Sequence, residues 1–181
     1  MNIYQGRPND QINREEREIR VYDFLDSIGI EYERCDHAPA LTMEDCEAVD
    51  EAMGVRMCKN LFLCNRQKTD FYLLLIPGDK PFKTKQLSSQ LGVSRLSFAS
   101  AEDMERLLDI HPGAVSVMGL MNDKNGEVRL LVDRDLCEKE FFGAHPCVNT
   151  SSLKFKSSDI FERFIPAVNH TPTFVTLTAE E

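Results

Sequence analysis

Lys59 and Asn60 stand side by side at the entrance to an apolar run, Leu61-Phe62-Leu63-Cys64. A cation at the mouth of a strand can meet a negative or strongly polar ligand. The same pair on a solvated edge or turn would do no chemistry. Two later stretches weigh on that choice. In Gly113-Ala114-Val115-Ser116-Val117-Met118-Gly119, two glycines bracket small residues. Free backbone N–H groups in such a turn can bind a carbonyl oxygen or an oxyanion, although a plain connection would look the same. In the third stretch His145 precedes Pro146, which biases its backbone toward an extended form. An imidazole in a loop can act as acid, base or hydrogen-bond donor near neutral pH, and Asn149 could orient it or cap the turn. Ser116, Thr150 and the cysteines are available nucleophiles, but no nucleophile elbow marks one of them. Phosphate-loop and metalloprotease motifs are missing as well.

The elements that must position these residues can be read from periodicity and punctuation. An amphipathic helix is expected over 15–30, and a short strand over 31–37. A second helix starts at Thr42, with acids in its first turn, and stops at Gly54. Strands over 60–64 and 71–76 should form a hairpin. The second is nearly all apolar, so it should be central and covered on both faces. A helix over 84–91 ends at Gly92, and 96–98 is a short strand. Ser100 caps a further helix. A strand follows over 128–132, then a turn and helical segment over 133–142, and a strand over 153–156. Ser157 should cap a last helix over 158–165, and 174–177 forms a final strand. Residues 1–10 look untethered. Helices and strands alternating irregularly with hairpins indicate an α+β fold, with a mixed, largely antiparallel sheet surrounded by helices.

With 181 residues the chain is expected to be one domain. No apolar run reaches the roughly 18 residues that span a bilayer, so no membrane partner is expected. The polar start, 1–20, does not read as a secretory signal, which makes the cytoplasm the expected compartment. Six scattered cysteines without a C-x-x-C read as free thiols, several in the core. Cys35-Asp36-His37 with Cys46 matches no common zinc spacing, so neither a metal nor a cofactor is expected. A net charge of −9 argues against a broad, salt-driven nucleic-acid binder, DNA included. A local basic bias over 59–95, from Lys59, Arg66, Lys68, Lys80, Lys83, Lys85 and Arg95, still allows one nucleic-acid end to be held.

One ordered set of motifs is recognisable: Lys59 to Leu63; Leu87 to Gly92 with Arg95 to Ala99; Pro112 to Ser116 with Gly119 to Asp123; and His145-Pro146 with Asn149. It resembles the prolyl-tRNA editing proteins. These are freestanding, YbaK-like relatives of the insertion domain of bacterial prolyl-tRNA synthetase and of the Cys-tRNA(Pro) deacylases. The resemblance covers residues 15–170, leaving 1–14 as an N-terminal extension and 171–181 as a C-terminal strand and tail. It implies hydrolysis of the ester between a wrong amino acid and the 3′-terminal adenosine of tRNA(Pro), without a metal. The implied catalytic residues are Lys59, Asn60 and His145. Gly113, Ala114, Val115, Ser116, Val117, Gly119 and Asn149 would bind substrate, and Lys83, Lys85 and Arg95 would meet the tRNA. The family loop commonly has proline where this chain has Val117, a difference expected to loosen the loop. The implied partner is the acceptor end of mischarged tRNA(Pro), with prolyl-tRNA synthetase an open second one. Freestanding members of this closer type mostly act on Ala-tRNA(Pro), which makes alanine the first choice.

Cys- or Ser-charged tRNA are the alternative substrates. A non-catalytic module that binds aminoacyl-tRNA or a synthetase is a different class of answer, and an enzyme for some other small-molecule ester is a third.

Overall fold

A computed structural model of the chain describes residues 1–178. The expected C-terminal tail runs on into residues 179–181, which lie outside the described residues. The strands form two sheets. One has four strands, in the order β1 (Ile3–Gln5), β2 (Glu33–Asp36), β8 (Ser151–Lys156) and β7 (Phe141–Ala144). The other has five, in the order β5 (Ser97–Phe98), β3 (Lys59–Cys64), β4 (Phe71–Ile76), β6 (Val128–Asp133) and β9 (Thr173–Val175). Pairing is antiparallel except between β4 and β6 and between β6 and β9. The fold is thus α+β with mixed, largely antiparallel sheets and surrounding helices, as expected, but the strands divide between two sheets.

The expected hairpin is β3–β4, with Lys59 opposite Ile76 and Cys64 opposite Phe71. Every residue of β4 is buried. Its side chains alternate between two cores. Phe71, Leu73 and Leu75 join the larger one, whereas Tyr72, Leu74 and Ile76 join a smaller one with Leu63, Leu87 and Leu131. A strand apolar on both faces needs a cover on each. The helix α3 (Thr84–Leu91) supplies Leu87 on the second face and closes at Gly92. Truncating a fully buried residue such as Leu74 leaves a cavity, so Leu74→Ala should cost about 2–5 kcal/mol in a denaturant titration.

The other helices are α1 (Glu16–Ser27), α2 (Met43–Met53) and α4 (Ala101–Leu108). Thr42 caps α2 in a reciprocal box with Asp45, and Ser100 caps α4 through the Asp103 N–H. No helix among the described residues is long and apolar enough to cross a membrane.

Three expectations are corrected. The first ten residues are tethered, because Ile3–Gln5 pairs with β2. The segment 133–142 is not a turn and helix. A 3₁₀ turn over Arg134–Glu138 leads into the strand β7, whose Phe142 and Ala144 are buried against the core. Ser157 caps nothing. Its hydroxyl is buried without a partner among the described residues, and residues 157–158 already belong to the helix, which runs on as a π-helix over Asp159–Phe164.

Candidate functional site

Lys59 opens β3 and shares a face with Leu61 and Leu63. Its Nζ donates to the Lys80 carbonyl at 2.7 Å. Lys80 is itself fixed, because its ammonium reaches Asp133 at 2.8 Å, Asp135 at 2.6 Å and the Leu177 carbonyl at 2.8 Å. Lys80 therefore leaves the basic surface expected over 59–95 and acts as an inward strut behind Lys59. Asn60 points to the opposite face. Its Oδ1 accepts the Val117 N–H at 3.1 Å, and its Nδ2 donates to the Cys58 carbonyl at 3.1 Å. Asn60 thus ties the glycine segment to β3. A proline at 117 could not make this bond. The segment expected to be loosened by Val117 is held by that residue's own N–H, and the Val117 side chain is fully buried.

Gly113 has φ +92°, a left-handed backbone that side-chain-bearing residues rarely adopt. The N–H groups of Gly113, Val115 and Ser116 find no acceptor among the described residues. The Ser116 hydroxyl is buried and accepts the Met118 N–H at 3.1 Å, so it is occupied as a cap. The second half of the expected loop is a 3₁₀ turn over Val117–Asn122. Gly119 lies inside it, where an added Cβ would sit 2.6 Å from Ile110 Cδ1. Its smallness serves packing.

His145 follows β7 directly. Its Nδ1 lies 2.9 Å from the Ser151 carbonyl and 3.3 Å from the Ser152 hydroxyl. A carbonyl only accepts, so Nδ1 carries the proton and a neutral ring keeps its lone pair on Nε2. Ser152 Oγ is also 2.9 Å from His37 Nε2, and His37 Nδ1 is 2.8 Å from the Ala38 carbonyl. The same reasoning places the His37 proton on Nδ1, so the Ser152 hydroxyl donates to His37. Burial pushes the His145 pKa down from its ordinary value. The Ser151 carbonyl opposes this and the charge of His37 adds to it. Behind the pair, Ser151 Oγ donates to Asp36 at 2.6 Å, and Arg14 donates to Asp36 at 2.9 and 3.1 Å. Burial works to raise the Asp36 pKa. Hydrogen bonds from Arg14 and Ser151, with the charge of Arg34, outweigh it and hold Asp36 at about 2.

A cavity of about 460 Å³ brings these parts together. Lys59, Gly113, His145 and Asn149 all line it, from positions far apart in the chain. His37 and Ser152 line it too, and α2 closes it with Met43, Cys46 and Val49. Asn60, Ala114, Val115, Ser116, Val117 and Gly119 stand outside the lining, behind or beside it. Lys83, Lys85 and Arg95 gather around a separate open recess at the start of α3. Cys58 lines the cavity, but burial pushes its thiol pKa up to about 12, which suppresses the thiolate; the Asn60 hydrogen bond opposes that only in part. Sequence reasoning gave no role to Ser152 or to the α2 face. His37 was visible as a loop histidine, but nothing in its neighbourhood pointed to a residue 115 positions on.

The aminoacyl-tRNA editing domain family matches this chain over residues 37–162. The prolyl-tRNA editing protein ProX of Acetoanaerobium sticklandii is 31% identical over 147 residues, covering 81% of this chain and 89% of that protein. The chain belongs to the aminoacyl-tRNA editing domain family. Another relative of this editing domain is the prolyl-tRNA synthetase associated domain-containing protein 1 of Danio rerio. It is 28% identical over 156 residues, covering 84% of this chain and 83% of that one. The editing-domain fold recurs in a crystal structure of a candidate trans-editing enzyme for prolyl tRNA synthetase. That match has a TM-score of 0.66 at 15% identity, and covers 90% of this chain and 98% of the other.

Proposed function

We propose that this chain is a trans-editing hydrolase that cleaves the ester between a wrong amino acid and the 3′-terminal adenosine of tRNA(Pro), with alanine as the preferred amino acid. The observation that carries the reading is the cavity shared by Lys59, Gly113, His145 and Asn149. The family membership and the name of the ProX relative point to the same substrate class. Residues 15–170 are the editing unit in this reading, and the cytoplasm, where charged tRNA is found, is its place of action.

An aminoacyl ester is already activated, so positioning and charge stabilisation are sufficient and no metal is called for. Lys59 holds the terminal nucleotide or the aminoacyl group electrostatically. The backbone N–H of Gly113, the residue of the glycine segment on the cavity lining, receives the carbonyl oxygen as charge develops on it. Asn60 acts one step back, by fixing that segment through Val117. His145 offers Nε2 to a hydroxyl group, either water or the neighbouring ribose hydroxyl. The water oxygen, deprotonated by Nε2 directly or through that ribose hydroxyl, bonds to the ester carbonyl carbon as the C–O bond to the ribose breaks; the ribose oxygen takes the proton back from Nε2, and the free amino acid and uncharged tRNA leave. Lys83, Lys85 and Arg95 are placed to meet acceptor-strand phosphates, and prolyl-tRNA synthetase is the partner that would supply the mischarged product.

The apolar wall formed by Met43 and Val49 suits a small side chain. A synthetase pocket sized for proline rejects smaller amino acids by only about 1–3 kcal/mol per missing methylene, so a second, smaller sieve is required. Deacylation rates on Ala-, Cys-, Ser- and Pro-tRNA(Pro) test this directly. Ala-tRNA(Pro) should be hydrolysed fastest and Pro-tRNA(Pro) spared. Failure to hydrolyse any of the four would overturn the reading.

A further inference from the structure

The face that α2 turns toward the cavity carries a charge that the mechanism above does not use. Val49 and Met53 pack inward against Cys35. Met43, Cys46, Glu47 and Asp50 recur at helical spacing and line the cavity. Asp50 is the last of them, at the end nearest β3. Its Oδ1 accepts the Met57 N–H at 3.2 Å, only two residues before Lys59. Its Oδ2 has no comparable donor among the described residues. The nearest cation is Arg56 Nε at 4.0 Å, on a half-exposed side chain that also reaches toward Asp79 at 3.7 Å. A half-buried carboxylate is therefore left with one backbone donor and one distant, shared counter-charge. Lys59 lines the same cavity but does not neutralise it, because its ammonium is turned onto the Lys80 carbonyl.

We propose that the Asp50 carboxylate receives the α-ammonium group of the aminoacyl ester and so makes a free amino group part of what this site recognises. The inference rests on the editing reading and deepens it. An aminoacylated nucleotide carries an ammonium at one end and phosphate at the other. The cavity has the complementary pair, Asp50 and Lys59, unpaired with each other. A free α-amine is largely protonated near neutral pH, with a pKa of about 7.7–8.0. Burial raises the Asp50 pKa, with the Met57 N–H and Arg56 opposing it and Glu47 adding to it. That direction is expected of a carboxylate short of positive neighbours, and an incoming ammonium supplies one. Glu47, one turn earlier on the same face, adds attraction of the same sign.

A merely structural Asp50 would act only as the acceptor that staples the end of α2 to Met57. Asp50→Asn separates the two roles, since the amide oxygen still accepts that N–H while the charge is gone. The probes are two non-hydrolysable analogues, adenosine bearing alanine through a 3′-amide and its lactoyl counterpart, in which a hydroxyl replaces the ammonium. By calorimetry, the wild type should bind the alanyl analogue roughly 10- to 100-fold more tightly than the lactoyl one. Asp50→Asn should lose that preference while its melting temperature and its affinity for the lactoyl analogue stay as in the wild type. A wild type without the preference, or an Asp50→Asn variant that keeps it, overturns the inference. Equal loss of both analogues would assign Asp50 to structure and overturn it too. The editing reading fails separately, if the wild type hydrolyses none of the four charged tRNAs.

Discussion

Lys59→Ala should lower kcat/KM for deacylation of mischarged tRNA(Pro) by about 10²- to 10³-fold while the protein remains folded. The magnitude is that of removing one positioned charge or donor from a site that stabilises a developing oxyanion. The geometry explains why the loss should be large. Lys59 is not a free surface lysine. Its Nζ is fixed by the Lys80 carbonyl, and Lys80 is anchored in turn on Asp133, Asp135 and Leu177. In the proposed mechanism the ammonium is therefore held in place before substrate arrives. Folding should survive, since Lys59 is half-buried at the end of β3 and packs no core cluster. Lys59→Arg should also fail, because a planar fork cannot reproduce a compact ammonium donating to one carbonyl. Rates on Ala-tRNA(Pro), taken beside thermal melts, check both variants. Normal turnover by a folded Lys59→Ala protein would remove Lys59 from the site.

What the sequence disclosed about this arrangement depended on how local the cause was. The β3–β4 hairpin and the helices α3 and α4 announce themselves within a few residues, through an apolar run, a capping serine and a closing glycine. The strand β1 does not, because only its pairing with Glu33–Cys35 makes Ile3–Gln5 a strand. The strand β7 is four residues with a glycine inside it, Phe-Phe-Gly-Ala, and gains its identity from β8. The site divides in the same way. Lys59, Gly113 and His145 were legible as residue types in suggestive places. The bond from Val117 to Asn60 spans 57 positions and no spacing rule predicts it, yet it fixes the glycine segment and gives Asn60 its role. The Ser152 hydroxyl between two histidines was hidden for the same reason.

His145 should set the acid side of the activity profile, below pH 6.5. Its Nδ1 proton is committed to the Ser151 carbonyl, so the neutral ring has one free basic atom, Nε2. Protonating Nε2 removes the acceptor and places a cation close to His37, whose ring centre is 6.3 Å away. Burial, chiefly, holds the His145 pKa below its ordinary value. kcat/KM reports groups of the free enzyme and free substrate, so its acid limb should fall as pH drops through that lowered pKa, below 6.5, while the substrate's α-amine governs the alkaline side. Stability follows the same sign. A group whose folded pKa is depressed contributes stability that is present above its unfolded value, near 6.5, and is lost as pH falls through the folded one. The wild type should therefore lose melting temperature over that acid window by more than His145→Ala does. His145→Ala itself should slow deacylation by about 10²-fold or more, within the range for a positioned proton acceptor. Its residual activity should lack the acid limb, which assigns that limb to His145 and not to its neighbour His37. A limb that persists unchanged in His145→Ala, or an acid-limb inflection in the wild type at or above pH 6.5, would contradict the neutral imidazole that the Ser151 carbonyl selects.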